Sequence, residues 1–421
     1  MIVGILDRFP TRAFSAWRGR SSLSIHNWRR SCVLVAISVA CGWTAWSGHV
    51  LALPVAVLFP ALWAMSPSRL TAGLVSAGYF LAASRGLPQG VANFYAADLW
   101  PGLLLWTAAS LSFAGVHAAL WKARPKAKSP GVGRTGMAMA ARYLAAAMLL
   151  GLPPLGITGW AHPLTAAGVL FPGWGWWGLV AMTAGLAMMT SRYWPAAAIV
   201  LGGLWLWSTA TWTSPNLPEG WKGVDLALGQ NLGRDGSVSY HRDLIATVLA
   251  TAGDGARFVV LPESALGFWT PTVARLWSQG LQGSELTVIA GAAVIDQSGY
   301  DNVMVVISAA DARILYRQRM PVPVSMWQPW RAWTGQGGGA RANLFGNAIV
   351  ENDGQKVAAL ICYEQLLLWP VLQSMLHSPS AIVATGNGWW TAGTSIVAIQ
   401  NASVIAWAKL FGLSVVTAFN R

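Results

Sequence analysis

Cys362 and Glu263 are the side chains in this sequence best suited to covalent chemistry on a carbonyl. Cys362 closes the apolar run Val357-Ala358-Ala359-Leu360-Ile361, which ends abruptly on a thiol followed by Tyr363 and Glu364. Glu263 closes Phe258-Val259-Val260-Leu261-Pro262 in the same way. A strand that runs straight into a turn exposes its last side chain, and main-chain N–H groups just beyond it can hold an oxyanion. A thiol is mostly protonated at neutral pH and needs a base to become a nucleophile. Glu263 meets that need if partial desolvation raises its proton affinity. A cation completes the set by stabilising developing negative charge. Arg317 and Arg319, just after the apolar run 303–307, are the nearest candidates.

Competing chemistries find less support. A single cysteine on a core strand is more often structural than reactive, so Cys362 gains its meaning from Glu263. Cys32 and Cys41 fall in or near the first apolar stretch, which leaves Cys362 without a disulfide partner in the polar half. The six histidines are scattered without ligand spacing, so no metal and no cofactor is expected. Gly335-Gln336-Gly337-Gly338-Gly339 lacks the Lys-Ser/Thr ending of a phosphate loop and reads as a surface loop or lid.

The elements that must position the pair are short β-type runs at 224–228, 258–261, 287–290, 303–307, 357–361 and 381–384. Helical patterns begin at Leu244 and span Trp369 to His377, and residues 393–413 also look helical. Strands alternating with helices predict a layered α/β domain. Residues 213–221, rich in proline and glycine, read as the linker before it, so the domain occupies 222–421.

The first half answers to a different solvent. Of 421 residues 54% are hydrophobic and only 10% charged, and the only acids before Trp212 are Asp7 and Asp98. Seven apolar stretches can be drawn, at about 31–48, 50–66, 69–84, 98–121, 142–160, 164–189 and 194–211. They predict a transmembrane domain over 31–212 behind a basic cytoplasmic N-terminus over 1–30. Pro54, Pro60, Pro153, Pro154 and Pro172 are expected to kink those helices. With seven crossings, the clusters before residue 31 and over 122–142, together with Arg69 and Arg192, fall on the cytoplasmic side, and only Arg85 lands outside. The polar half is then periplasmic. The net charge of +13 follows these flanks, so direct nucleic-acid binding is not expected.

Five segments, in order, resemble the carbon–nitrogen hydrolase (nitrilase) superfamily, and most closely its membrane-bound apolipoprotein N-acyltransferase branch. Val224-Asp225-Leu226-Ala227-Leu228-Gly229-Gln230-Asn231 is similar to the family's first strand, and Leu261-Pro262-Glu263-Ser264-Ala265 to its glutamate motif. Tyr300-Asp301-Asn302 is similar to its Tyr-Asn-Ser segment. Ile361-Cys362-Tyr363-Glu364 is similar to its nucleophile motif, and Asn387-Gly388-Trp389-Trp390 to its Asn-Asp-x-Trp-Phe loop.

The resemblance implies a Glu–Lys–Cys triad on an αββα sandwich. In that branch the cysteine takes an acyl group from a phospholipid and passes it to the N-terminal amine of a lipoprotein. Carried over, Glu263 is the base and Cys362 the nucleophile. The lysine does not carry over: Gln318 stands in its position, Met326 stands where a further functional glutamate is expected, and Arg319 beside the slot is the substitute cation. The chain ends at Asn420-Arg421, before the family's last strands and membrane helix, so a shortened sandwich is expected.

A shortened, diverged pattern of this kind is similar to plasmid conjugal-transfer proteins. It implies a multi-pass inner-membrane protein whose partners are membrane lipids, with a lipoprotein or transfer-apparatus protein as acceptor. The alternative is a scaffold of the transfer apparatus that has kept the fold and lost the chemistry.

Overall fold

The computed structural model describes residues 12–123, 132–231, 236–253, 255–352 and 354–421. The first half is helical: α1 (Arg12–Ala45), α2 (Phe59–Ala64), α3 (Arg69–Ala83), α4 (Leu87–Tyr95), α5 (Leu99–Leu120), α6 (Val132–Gly151), α7 (Ala167–Leu170), α8 (Gly175–Met189) and α9 (Trp194–Ala210). A 3-10 helix, Val50–Leu58, leads into α2. Each apolar stretch contains helix, but the second, fifth and sixth are broken by turns or 3-10 segments. Among the described residues only α5, with 22 residues, is long and apolar enough to cross a membrane by length and composition.

The prolines mark many of these breaks and correct one expectation. Pro60 begins α2, Pro153 and Pro154 follow the end of α6, and Pro172 lies in the turn between α7 and α8. Proline lacks the N–H that a helix interior needs, so it marks starts and stops rather than kinks here. Pro54 lies within the 3-10 segment.

The second half is an α/β sandwich. Its elements are β1 (Trp221–Gly223), α10 (Val238–Ala252), β2 (Phe258–Val260), α11 (Pro271–Gly280), β3 (Thr287–Asp296), β4 (Gly299–Ile307), β5 (Ala312–Arg317), α12 (Trp330–Trp333), β6 (Val350–Asn352), β7 (Gln355–Ile361), α13 (Leu368–Met375), β8 (Ala381–Asn387), α14 (Ile396–Phe411) and β9 (Ser414–Asn420). One sheet runs β1-β2-β3-β4-β5 and the other β6-β7-β8-β9. β1, β2 and β3 are parallel, as are β7, β8 and β9, while β3-β4-β5 and β6-β7 pair antiparallel. Parallel strands buried on both faces read as continuous apolar runs, which is why Phe258-Val259-Val260 and Val357-Ala358-Ala359-Leu360-Ile361 were legible.

Three apolar layers hold the sandwich together. Val260, Ile289, Met304, Ala359, Ile361, Val383 and Val416 pack between the sheets. α10 and α11 cover the outer face of the first sheet through Leu244, Val248 and Trp277 against Val259, Val288 and Val305. The outer face of the second sheet, Ala358, Leu360, Ile382 and Ala384, joins α14 and the N-terminal helices in one continuous core. The two halves touch intimately: a Cβ on Gly168 would meet the Ala406 carbonyl oxygen at 1.7 Å, a distance only glycine avoids.

The first predicted strand, over 224–228, is displaced: β1 ends at Gly223. Beyond it Leu226 donates its N–H to the Phe419 carbonyl and so links the ends of the two sheets. Residues 393–413 fold as the covering helix α14, whose Gln400 and Ser403 are buried.

Candidate active site

Glu263 follows the end of β2, and the chain turns sharply there because Ser264 adopts φ +62°. Gly291 of β3 lies beneath this corner. A Cβ at that position would stand 2.4 Å from Glu263 Cα and 2.5 Å from the Ser264 nitrogen, so the close approach requires glycine. Cys362 follows β7 directly, with φ +49°, in a 3-10 turn over Cys362–Leu366. A non-glycine residue held in that left-handed region is the usual mark of a corner that aims one side chain at a site.

Glu364 fixes the cysteine turn. Its Oε2 accepts the Ile361 N–H at 2.8 Å, and its Oε1 accepts the Tyr316 hydroxyl at 2.8 Å and the Arg319 N–H at 2.6 Å. Arg319, expected as the oxyanion cation, belongs to this support and not to the cavity. Its guanidinium is fully buried, 3.9 Å from Glu364 Oε1, and donates to the Tyr316 hydroxyl, the Pro370 carbonyl, Gln373 and Ser374. A buried guanidinium must spend its donors on nearby acceptors, and these lie behind the turn. Arg317 pairs with Asp301. Neither arginine lines the cavity shared by Glu263 and Cys362.

The family's lysine position holds Gln318, fully buried. Asn302 Nδ2 donates to Glu263 Oε1 at 2.6 Å and to Gln318 Oε1 at 2.9 Å. Gln318 Nε2 in turn donates to the Ile361 carbonyl at 3.1 Å. A neutral chain of hydrogen bonds thus runs from the carboxylate to the backbone beside the thiol. Asn302 was readable in sequence as part of the Tyr-Asp-Asn segment, but nothing in its spacing announced this bridging contact.

Glu263 and Cys362 line one cavity of about 420 Å³, together with Tyr300, Asn302, Met326, Asn387 and Trp390. Gly90 and Phe94 of α4 supply another wall; this helix falls outside the predicted stretches. Cys362 also lines an adjoining chamber of about 160 Å³, walled by Trp46, Leu105, Trp160, Leu366, Ile399 and Gln400. The cysteine therefore sits where a more polar chamber meets an apolar one. No lysine or arginine lines either chamber among the described residues.

Burial pushes the Glu263 carboxyl up to about 7, against the opposing pull of the Asn302 amide and the nearby Cys362 thiol. Glu263 Oε2 is buried without a hydrogen-bond partner among the described residues. The Cys362 thiol is pushed well above the ordinary cysteine range by burial first and by the Glu263 charge second. The two groups are thus close enough to perturb one another. A carboxylate near neutrality beside a buried thiol can remove the thiol proton as a substrate carbonyl approaches. Among the described residues no group of three or more His, Cys, Asp or Glu could hold a metal ion.

The carbon-nitrogen hydrolase family model matches residues 81–409. The conjugal transfer protein TraB of Agrobacterium fabrum is 70% identical over 420 residues, covering 100% of both chains. The probable conjugal transfer protein TraB of Sinorhizobium fredii is 60% identical over 388 residues, covering 92% of this chain and 97% of its own. Among solved structures, a Nesterenkonia amidase of the nitrilase superfamily aligns with 10% identity and a TM-score of 0.36, over 49% of this chain and 78% of its own. The chain belongs to the carbon-nitrogen hydrolase family.

Proposed function

We propose that this chain is an inner-membrane enzyme of plasmid conjugal transfer, in which Cys362 attacks an acyl or amide carbonyl with Glu263 as its base. The observation that carries the reading is the shared cavity: Glu263 and Cys362 line the same space, and Glu263 Oε2 has no hydrogen-bond partner among the described residues. Glu263 takes the thiol proton as sulfur bonds to the carbonyl carbon and the carbonyl π pair moves onto oxygen. Collapse breaks the C–O or C–N bond, and Glu263 returns the proton to the leaving alkoxide or amine. The acyl group remains on Cys362 as a thioester. Glu263 then deprotonates the acceptor amine or water as it attacks the thioester carbonyl; the C–S bond breaks and Glu263 returns the proton to the Cys362 sulfur. The Tyr363 N–H, first after the nucleophile, is the candidate oxyanion donor.

The membrane reading rests on the outer faces of the N-terminal helices. Leu70, Leu104, Trp177, Ile199 and Leu206 project outward there, as a lipid-facing surface requires. In a seven-crossing topology several contacts with the sandwich fall on one side. These contacts are Gly48 with Ala398, Gly86 with Thr394, Asn93 with Trp390, and Ile157 with Tyr363. Arg30, bonded to the Met65 carbonyl, and Arg142, bonded to the Leu120 carbonyl, fall on the other. Helices of 15 to 17 residues, such as α8 and α9, reach about 22–26 Å, which a locally thinned bilayer accommodates. The apolar chamber beside Cys362 suits an acyl chain, so membrane lipid is the proposed donor. A lipoprotein or transfer-apparatus protein is the proposed acceptor. The link to conjugation rests on the TraB relatives.

One observation favours a second reading, a scaffold of the transfer apparatus without chemistry: Gln318 replaces the family's lysine, and among the described residues no cation lines the cavity. A mass measurement separates the two. After incubation of the full chain in phospholipid nanodiscs, the peptide bearing Cys362 should gain a fatty-acyl mass, and the Glu263→Gln variant should lose that gain. No adduct under any lipid composition would favour the scaffold.

A further inference from the structure

Among the described residues no cation lines the cavity, yet a thiolate formed in it needs stabilising. Burial alone makes the charged sulfur costly. Gln318 cannot help directly, because its Oε1 is engaged by Asn302 and its Nε2 by the Ile361 carbonyl. Asn302 is spent on Glu263 and Gln318. On the far side of the sulfur stands Gln400, from the middle of α14. It is 3% exposed, and its Nε2 donates to Cys362 Sγ at 3.6 Å.

We propose that Gln400 is a catalytic residue of this site, whose Nε2–H holds the Cys362 sulfur as the thiol proton leaves for Glu263 Oε2. This rests on the nucleophile-and-base reading above and adds a side-chain donor at the sulfur, beside the Asn387 N–H that also favours the thiolate. The S–H bond breaks, its proton goes to the Glu263 carboxylate, and the electron pair stays on sulfur, where the amide N–H meets it. A neutral donor has an advantage that a lysine lacks. A cation beside both groups would favour thiolate and carboxylate alike and so weaken Glu263 as a base. An amide aimed at sulfur alone stabilises the thiolate and leaves the proton affinity of Glu263 high, near neutral pH where the transfer must occur.

The test is the pH–rate profile of Cys362 alkylation by iodoacetamide, read peptide by peptide by mass spectrometry on the full chain in nanodiscs. Gln400→Met keeps the volume and removes the donor. It should slow alkylation at neutral pH by about tenfold or more, the effect of losing one hydrogen bond to a charged group, and move the profile upward. Gln400→Glu keeps the shape. It should react comparably to the wild type while its acid is protonated, then fall progressively behind as ionisation sets a second negative charge against the sulfur. If one variant fails to fold, as judged by thermal unfolding, the other decides. Wild-type profiles for the folded variants, with Glu263→Gln still slow, would overturn the role of Gln400 and leave the base in place. A wild-type profile for Glu263→Gln would instead remove the base, and with it the reading beneath this proposal.

Discussion

Glu263 and Cys362 stand at the carboxyl ends of strands from two different sheets, β2 of the first and β7 of the second, and meet in one cavity. The site therefore exists only where the sandwich closes. Asn302 and Gln318 stitch the junction, because their hydrogen bonds run from the Glu263 carboxylate to the backbone beside the thiol. Among the described residues Glu263 is the one charged side chain that lines this cavity.

That carboxylate makes folding pH-dependent. Glu263 titrates at about 7 in the folded protein, against an ordinary value of 4.5. The folded state binds the proton more tightly. The associated stability is fully present below about 4.5 and is lost as pH rises through 7. The shift corresponds to about 3 kcal/mol. Thermal unfolding in detergent should thus show the wild type losing stability relative to Glu263→Gln across that window. A constant difference between the two proteins would mean that Glu263 is not buried as described.

Arg319 is a support rather than a reacting group. Arg319→Met leaves Glu364 buried without its charged partner and frees acceptors on α13. The expected cost is about 3–5 kcal/mol, the usual consequence of breaking a buried pair. The unfolding temperature should drop sharply, while the pH–rate profile of Cys362 alkylation in the folded fraction keeps its midpoint. A shifted midpoint with unchanged stability would return Arg319 to the chemistry.

Topology is open to a direct reading. A phosphatase reporter fused after Trp212 should be active only if the sandwich lies on the periplasmic side, and a cytoplasmic reporter at the same point should be silent. The reverse pattern would overturn the seven-crossing arrangement and move the site to the other face.

Much of this was legible in the residues. Core strands buried on both faces are continuous apolar runs, so β2, β7 and β8 could be read directly, and each ends on the polar residue that the turn exposes. Edge elements were harder. β5, β6 and β9 alternate or are short, and their pairing is set by the opposite strand rather than by their own pattern. The breaks inside the second, fifth and sixth apolar stretches were not legible, since apolar composition persists through turns that proline and glycine impose. Arg319 was misassigned because proximity in sequence says nothing about which side of a turn a side chain takes. Gln400 gave no signal at all: an amide inside a helical pattern acquires meaning only when the fold lays that helix against the nucleophile.

The most direct measurement is the frequency of plasmid transfer from donors carrying Cys362→Ser or Cys362→Ala, with protein levels matched by immunoblot. Serine preserves the shape of the buried corner but not the thiol, so a catalytic Cys362 predicts that both variants lose transfer as completely as deletion of the whole gene. Wild-type transfer frequency from a stably accumulated Cys362→Ser protein would contradict the account and leave a membrane scaffold in its place.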